Sequence, residues 1–208
     1  MKETGVGAIH ESPLLTVGRV LRSSTTGFVV GCQVLLPQMP TFGSFVKVRI
    51  QKDMEAYGLI YNVSIEDDPL VRQLLSTPDI SEEIIRDQRE NRQMPIEVSV
   101  LVVGFRAGDR IYHYLPPQPP PALDEIYLCD EQEIIAFTEE LDYFRTILGA
   151  GGDIPADELL AASLRRASNC RGGKQPDRPF LLRAGRELAR LLNDDPVRLD
   201  GLLRRIRA

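Results

Sequence analysis

Residues 14–65 are a succession of short β-rich runs broken by turn chemistry, and this pattern confines the segment to a small closed or half-closed barrel. In "FVKVRIQ" (45–51), Phe45, Lys47, Arg49 and Gln51 fall on one face and Val46, Val48 and Ile50 on the other. That period of two is the signature of a strand with one buried face. "TGFVVGCQVLL" (26–36) is apolar on both faces apart from Gln33, so it is expected to be buried on both. With "VGRVLRSS" before it, it makes a hairpin, and "LIYNVSI" (59–65) is a further strand. Ser23–Gly27, "PQMPTFGS" (37–44) and "KDME" (52–55) supply the turns.

At residues 66–95 the pattern becomes helical, with Pro69 and Ser81 placed to start helices at about 69–76 and 80–92. Strand patterning then resumes in "IEVSVLVVGF" (96–105) and "RIYHYLP" (110–116), joined by the turn "RAGD". "PPQPPP" (116–121) cannot donate to a ladder and reads as a stiff connector leaving the barrel, with a PxxP ligand as the alternative. After the short run "IYLC" (126–129), Ile134, Phe137, Leu141, Phe144 and Leu148 form one apolar stripe, which predicts a connecting amphipathic helix within 122–150. Helices follow at about 155–168, 178–193 and 195–206. The expected fold class is therefore a mainly β N-terminal barrel over 14–121 with a helical insertion at about 66–95. A flexible stretch (1–13) precedes it, and an all-α, arginine-rich extension (151–208) follows.

The charge divides along the same line. Residues 1–150 hold 13 Lys/Arg against 22 Asp/Glu, a net −9, and residues 151–208 hold 12 against 8, a net +4. Halves of opposite sign point to different partners. No apolar run reaches the length of a membrane helix and the N-terminus lacks a signal-peptide pattern, so a cytoplasmic setting with no membrane association is expected. Cys32, Cys129 and Cys170 are widely spaced, and the two histidines are His10 and His113, so no metal site is expected.

Several stretches together resemble one family. "VGRVLRSSTTGFVV" (17–30), "FGSFVKVRI" (42–50), "AYGLIYNVSIEDDPL" (56–70) and the strand-then-proline exit from Pro95 to Pro121 are similar to the N-terminal HAS barrel of HerA-type DNA translocases. That barrel is shared more distantly with rotary ATP synthase subunits. The resemblance covers roughly residues 14–130 and rests on the order and spacing of motifs that are individually weak. It implies a barrel that helps assemble a ring and presents a docking surface to a NurA-like nuclease.

The motor that follows such a barrel is missing from the sequence. A phosphate-binding G-x-x-x-x-G-K-[ST] loop does not occur. "GAGGD" (149–153) follows a helix and holds no lysine, while in "RGGKQ" (171–175) glutamine replaces the hydroxyl residue. The carboxylate pairs lie in turns or on helix faces, and no Ser–His or Cys–His set is suggested. His113 reads as a barrel residue held by hydrogen bonds, and neither an enzyme nor a cofactor is expected.

The candidate contact residues are the arginines of the tail. Asp177 is an expected N-cap, Phe180, Leu181, Ala184, Leu188 and Leu191 or Leu192 would face inward, and Arg183, Arg186 and Arg190 share another face, with Arg204, Arg205 and Arg207 near the end. Such a face could hold phosphates or pair with acidic protein. The leading expectation is a non-catalytic oligomerisation and docking module for a HerA-like ATPase or NurA-like nuclease in DNA processing. A DNA-binding accessory factor using those arginines is the first alternative, and an assembly or regulatory factor of a rotary ATPase the second.

Overall fold

Residues 15–34, 40–65, 81, 94–173 and 175–207 are described by a computed structural model. The strands are β1 (Thr16–Ser23), β2 (Gly27–Val34), β3 (Phe45–Gln51), β4 (Met54–Ile65), β5 (Met94–Ala107), β6 (Arg110–Tyr112) and β7 (Glu125–Leu128). The helices are α1 (Glu131–Phe137), α2 (Tyr143–Leu148), α3 (Ala156–Gly172), α4 (Arg178–Leu191) and α5 (Pro196–Arg207).

The strands run in the order β2-β1-β7-β3-β4-β5, and β2 pairs back onto β5 to close a six-stranded antiparallel barrel. Closure leaves the ring no free edge. β6 extends the sheet beyond the ring as a hairpin on β5, turning at Gly108 with φ 57°. The expected strand at 110–116 is thus short, because the chain bends at His113.

The period-two reading of β3 describes the barrel interior. Val46, Val48 and Ile50 point inward and join Val20, Val30, Ile60, Val98 and Ile126 in one buried cluster. The opposite face divides in two, since Phe45 and Lys47 are buried under helices while Arg49 and Gln51 reach solvent. The two motif glycines stand where chains approach closely. A Cβ on Gly18 would collide with the Gly31 carbonyl, and one on Gly58 with the Val100 side chain.

The helices build a second core on the outside of the barrel. Phe45, Tyr57, Leu59, Leu101 and Val103 of the wall pack in one cluster with Phe137, Phe144, Leu160, Phe180, Leu188 and Leu202. Residues 151–208 therefore form a layer on the barrel. β2 is buried on its inner face through Phe28 and Val30, while Val29 and Gly31 are half-buried, because the helical layer stops short of β1 and β2. The expected burial of both faces holds for one.

Two further expectations change. The proline run does not leave the barrel: it crosses one end, where Ser23 Oγ donates to Pro120 O at 2.7 Å and Gln51 Nε2 to Gln118 Oε1 at 3.0 Å. The chain then re-enters as β7, a stave between β1 and β3, so the barrel runs past residue 121. The run bends at residues 117–118 and buries Pro116 and Pro120, unlike a free PxxP ligand.

The single stripe at 131–148 is two helices. Thr138 Oγ1 donates to Ile134 O at 2.6 Å, and Arg171 Nη2 takes Ile135 O at 2.8 Å, the acceptor that the next helical turn would need. The insertion at 66–95 lies outside the described residues except for Ser81 and the start of β5, and the stretch 1–13 lies outside them altogether.

Candidate functional site

Four of the six candidate arginines of the tail fold onto the protein's own acids. Arg183 meets Glu139 at 3.3 Å, Arg190 grips Glu187 through Nε at 2.9 Å and Nη2 at 2.5 Å, Arg204 meets Asp200 at 2.6 Å, and Arg205 meets Glu158 at 2.5 Å. Arg186 and Arg207 make no ion pair among the described residues. Arg183, Arg186 and Arg190 do come together, lining a cleft of about 480 Å³ with Glu139, Glu140, Asp142 and Glu187. Three cations facing four carboxylates make a mixed surface and not a phosphate cradle. The hydrogen bond from Arg183 holds the Glu139 carboxyl below its ordinary pKa, and that from Arg190 does the same for Glu187. Arg204, Arg205 and Arg207 do not line this cleft.

The predicted α4 pattern is met at the cap and at four inward positions, Phe180, Ala184, Leu188 and Leu192, while Leu181 is half-buried. Asp177 Oδ1 accepts from Phe180 N–H at 3.2 Å as the N-cap, and Phe180, Ala184 and Leu188 are buried. His113 lies outside the barrel, correcting its placement within it. Its Nε2–H donates to Phe137 O at 2.9 Å and its ring packs edge-on to Phe137, so it joins β6 to α1. Burial lowers its pKa, against the smaller upward pull of the Phe137 hydrogen bond and of Asp142 and Glu140.

Cys32, Cys129 and Cys170 are free thiols whose pKa values burial raises. Among the described residues no three His, Cys, Asp or Glu side chains are placed to share a metal ion, and no helix is long and apolar enough to cross a membrane. "GAGGD" joins α2 to α3, a helix-to-helix turn with Gly152 at φ 73°, and it borders a cleft of about 690 Å³. Val29, Leu101, Leu115 and Ile154 supply apolar lining there. Three of the hydroxyl groups lining it are occupied: Ser23 bonds Pro120 O, and Ser24 bonds Thr26 and Gly27 O.

Among the described residues, the wall formed by β7, β1 and β2 carries no helix beside this cleft, and β1 is its exposed stave. Arg19, Leu21 and Arg22 are exposed there, with Arg19 Nη2 2.5 Å from Glu125 Oε1 and Arg22 Nη2 3.3 Å from Glu97 Oε2. Sequence reading did not single these residues out, since β1 looks like any other stave until its neighbours and its irregular register are known. No family model matches the chain, and no curated protein matches it.

Proposed function

We propose that this chain is a non-catalytic docking and assembly module, a barrel of the HAS type that serves a HerA-like ATPase or a NurA-like nuclease in DNA processing. The observation that carries the reading is the one-sided covering of a closed barrel: helices bury the β3–β4–β5 wall, whereas among the described residues β1 is largely exposed and its neighbours β7 and β2 are half-buried. The motif order over residues 14–130 supplies the choice of partner, by resemblance alone.

The DNA-binding alternative finds less support in the geometry. Four of its six candidate arginines pair with carboxylates, and in three of those pairs the carboxylate side chain is itself 52–63% exposed, so a phosphate backbone would meet negative charge beside the positive. The rotary-ATPase alternative has no separate observation behind it.

The test is reconstitution of the purified full chain with the HerA-like ATPase and the NurA-like nuclease of the same cells, followed by light scattering of each mixture. A stoichiometric complex with either is the expected result. A chain that stays monomeric alone and joins neither partner overturns the reading.

A further inference from the structure

We infer that the β7–β1–β2 wall is the docking face itself, and that it takes an acidic segment bearing apolar side chains, contributed by a partner protein. The inference rests on the docking reading above and gives it a place and a chemistry.

Two backbone irregularities converge on this wall, and each puts a leucine in water. Val20 pairs with Val30 and Arg22 with Val29, so Leu21 is the extra residue of a β-bulge. A bulge re-aims a side chain at the expense of ladder regularity. Leu123 is the one non-glycine residue with positive φ, 67°, among the described residues. Its N–H donates to Val20 O at 2.9 Å, and its carbonyl accepts from Arg19 Nη1 at 2.9 Å. These bonds set Leu123 beside the Val20–Leu21 step. Leu21 lies over Gly31 of β2 yet is 51% exposed, and Leu123 is 68% exposed, so both leucines keep apolar surface in water. Half-buried Val29 continues the apolar strip into the 690 Å³ cleft.

Charge fixes the character of the occupant. In the pairs Arg19–Glu125, Arg22–Glu97 and Arg49–Asp124, the arginine side chains are 57–67% exposed and the carboxylates 25–39%. The wall and the uncovered end of β3 beside it thus turn guanidinium groups outward, on a half of the chain whose net charge is −9. Exposed pairs of this kind are weakly held in water, so a partner carboxylate can share the cation. A nucleic-acid backbone would meet the arginines but gain nothing from the leucines. An acidic, apolar protein segment satisfies both.

The test is Leu21→p-benzoylphenylalanine in the full chain, expressed in its own cells, irradiated, and the captured peptide identified by mass spectrometry. Leu123→p-benzoylphenylalanine is a second position on the same wall, should the first variant lose its cooperative melting transition. Leu182→p-benzoylphenylalanine and Val197→p-benzoylphenylalanine probe the helical side. Capture of an acidic, apolar protein segment from the wall is expected, with the yield falling about tenfold when Arg19→Gln, Arg22→Gln and Arg49→Gln are combined. Capture of nucleic acid, of a second copy of this chain, or of a neutral or basic segment overturns the inference, as does a yield the arginine changes leave alone. Capture of a protein only from positions 182 or 197 overturns this wall but leaves the docking reading standing. No protein captured from any of these positions overturns both.

Discussion

Arg171 of α3 lays its guanidinium over the ring of Phe180 in α4, 4.3 Å from the centroid. The same group donates to Thr138 Oγ1 at 2.6 Å and to Ile135 O at 2.8 Å, beyond the end of α1 and within it. One side chain thus joins three helices, and only a planar fork with several donors can do so. Arg171→Leu keeps the apolar stem and removes every polar contact. It leaves the Ile135 carbonyl partnerless, and the stability lost is about 2–4 kcal/mol on the scale of charge-assisted hydrogen bonds and a cation–π contact. The urea midpoint measures it. Arg171→Lys should recover less than half, and a full recovery would show that charge alone matters.

His113 gives the protein a pH dependence whose sign follows from its burial. Its pKa in the fold lies below the ordinary 6.5, so the neutral ring is the form that the fold favours. The stability it contributes is complete above about pH 6.5 and is lost as the pH falls toward its lowered value. The depressed carboxyls of Glu139 and Glu187 lose theirs in a separate window, below their ordinary 4.5. Melting temperature should therefore fall between pH 7 and pH 5 in the parent chain. His113→Gln keeps a donor for Phe137 O and removes the titration, so its profile over that window should be flatter. An identical slope in both proteins would remove His113 as the cause.

Lys47 of β3 and Glu133 of α1 form an ion pair whose side chains are 11% and 15% exposed. Glu133 also accepts from Asp130 N–H at 3.0 Å, while Asp130 accepts from Glu133 N–H at 2.8 Å, a capping box at the start of α1. The pair fixes the first helix to the barrel. Lys47→Met strands a carboxylate in a nearly dry place and should cost about 3 kcal/mol. Adding Glu133→Gln neutralises that charge and preserves the capping acceptor, so the double variant should be more stable than the single one. A double variant as weak as the single would mean that packing of the lysine stem, and not charge, sets the loss.

Sequence and structure agree where a local signal decides the outcome. The alternation in "FVKVRIQ" places Val46, Val48 and Ile50 inside, and Asp177 marks the start of α4. They part where the outcome depends on what arrives from elsewhere in the chain. Nothing in residues 45–51 announces that helices cover Phe45 and Lys47 but leave Arg49 bare. β7 spans only four residues and follows prolines, so its role as a stave depends on two partners distant in sequence. The break between α1 and α2 is imposed partly by Arg171, more than thirty residues away. The same limit hid the candidate docking face. Its arginines are ordinary β1 and β3 residues by pattern, and both they and four of the conspicuous tail arginines pair with carboxylates that lie far away in the sequence or on a neighbouring helical turn.

The shared core makes the tail a condition of folding. Leu159, Leu160 and Leu164 of α3, Phe180 and Leu188 of α4, and Leu202 and Ile206 of α5 belong to the cluster that covers Phe45, Tyr57, Leu59 and Val103 of the barrel wall. Arg205–Glu158 at 2.5 Å and Arg198–Asp157 at 2.7 Å fasten α5 onto α3 from outside. A chain ending at residue 150 would expose Phe137, Tyr143, Phe144 and Ile147, all buried in the full chain, and would carry the whole −9 of the acidic half. Uncovering four large apolar side chains at about 1.5–3 kcal/mol each removes up to about 6–12 kcal/mol, comparable with the whole stability of a domain of this size, about 5–15 kcal/mol. The truncated chain should be insoluble or should melt without a cooperative transition, read by circular dichroism and by the soluble fraction after lysis. A soluble, cooperatively melting chain of 150 residues would mean instead that the barrel folds alone and the helices are an appendage.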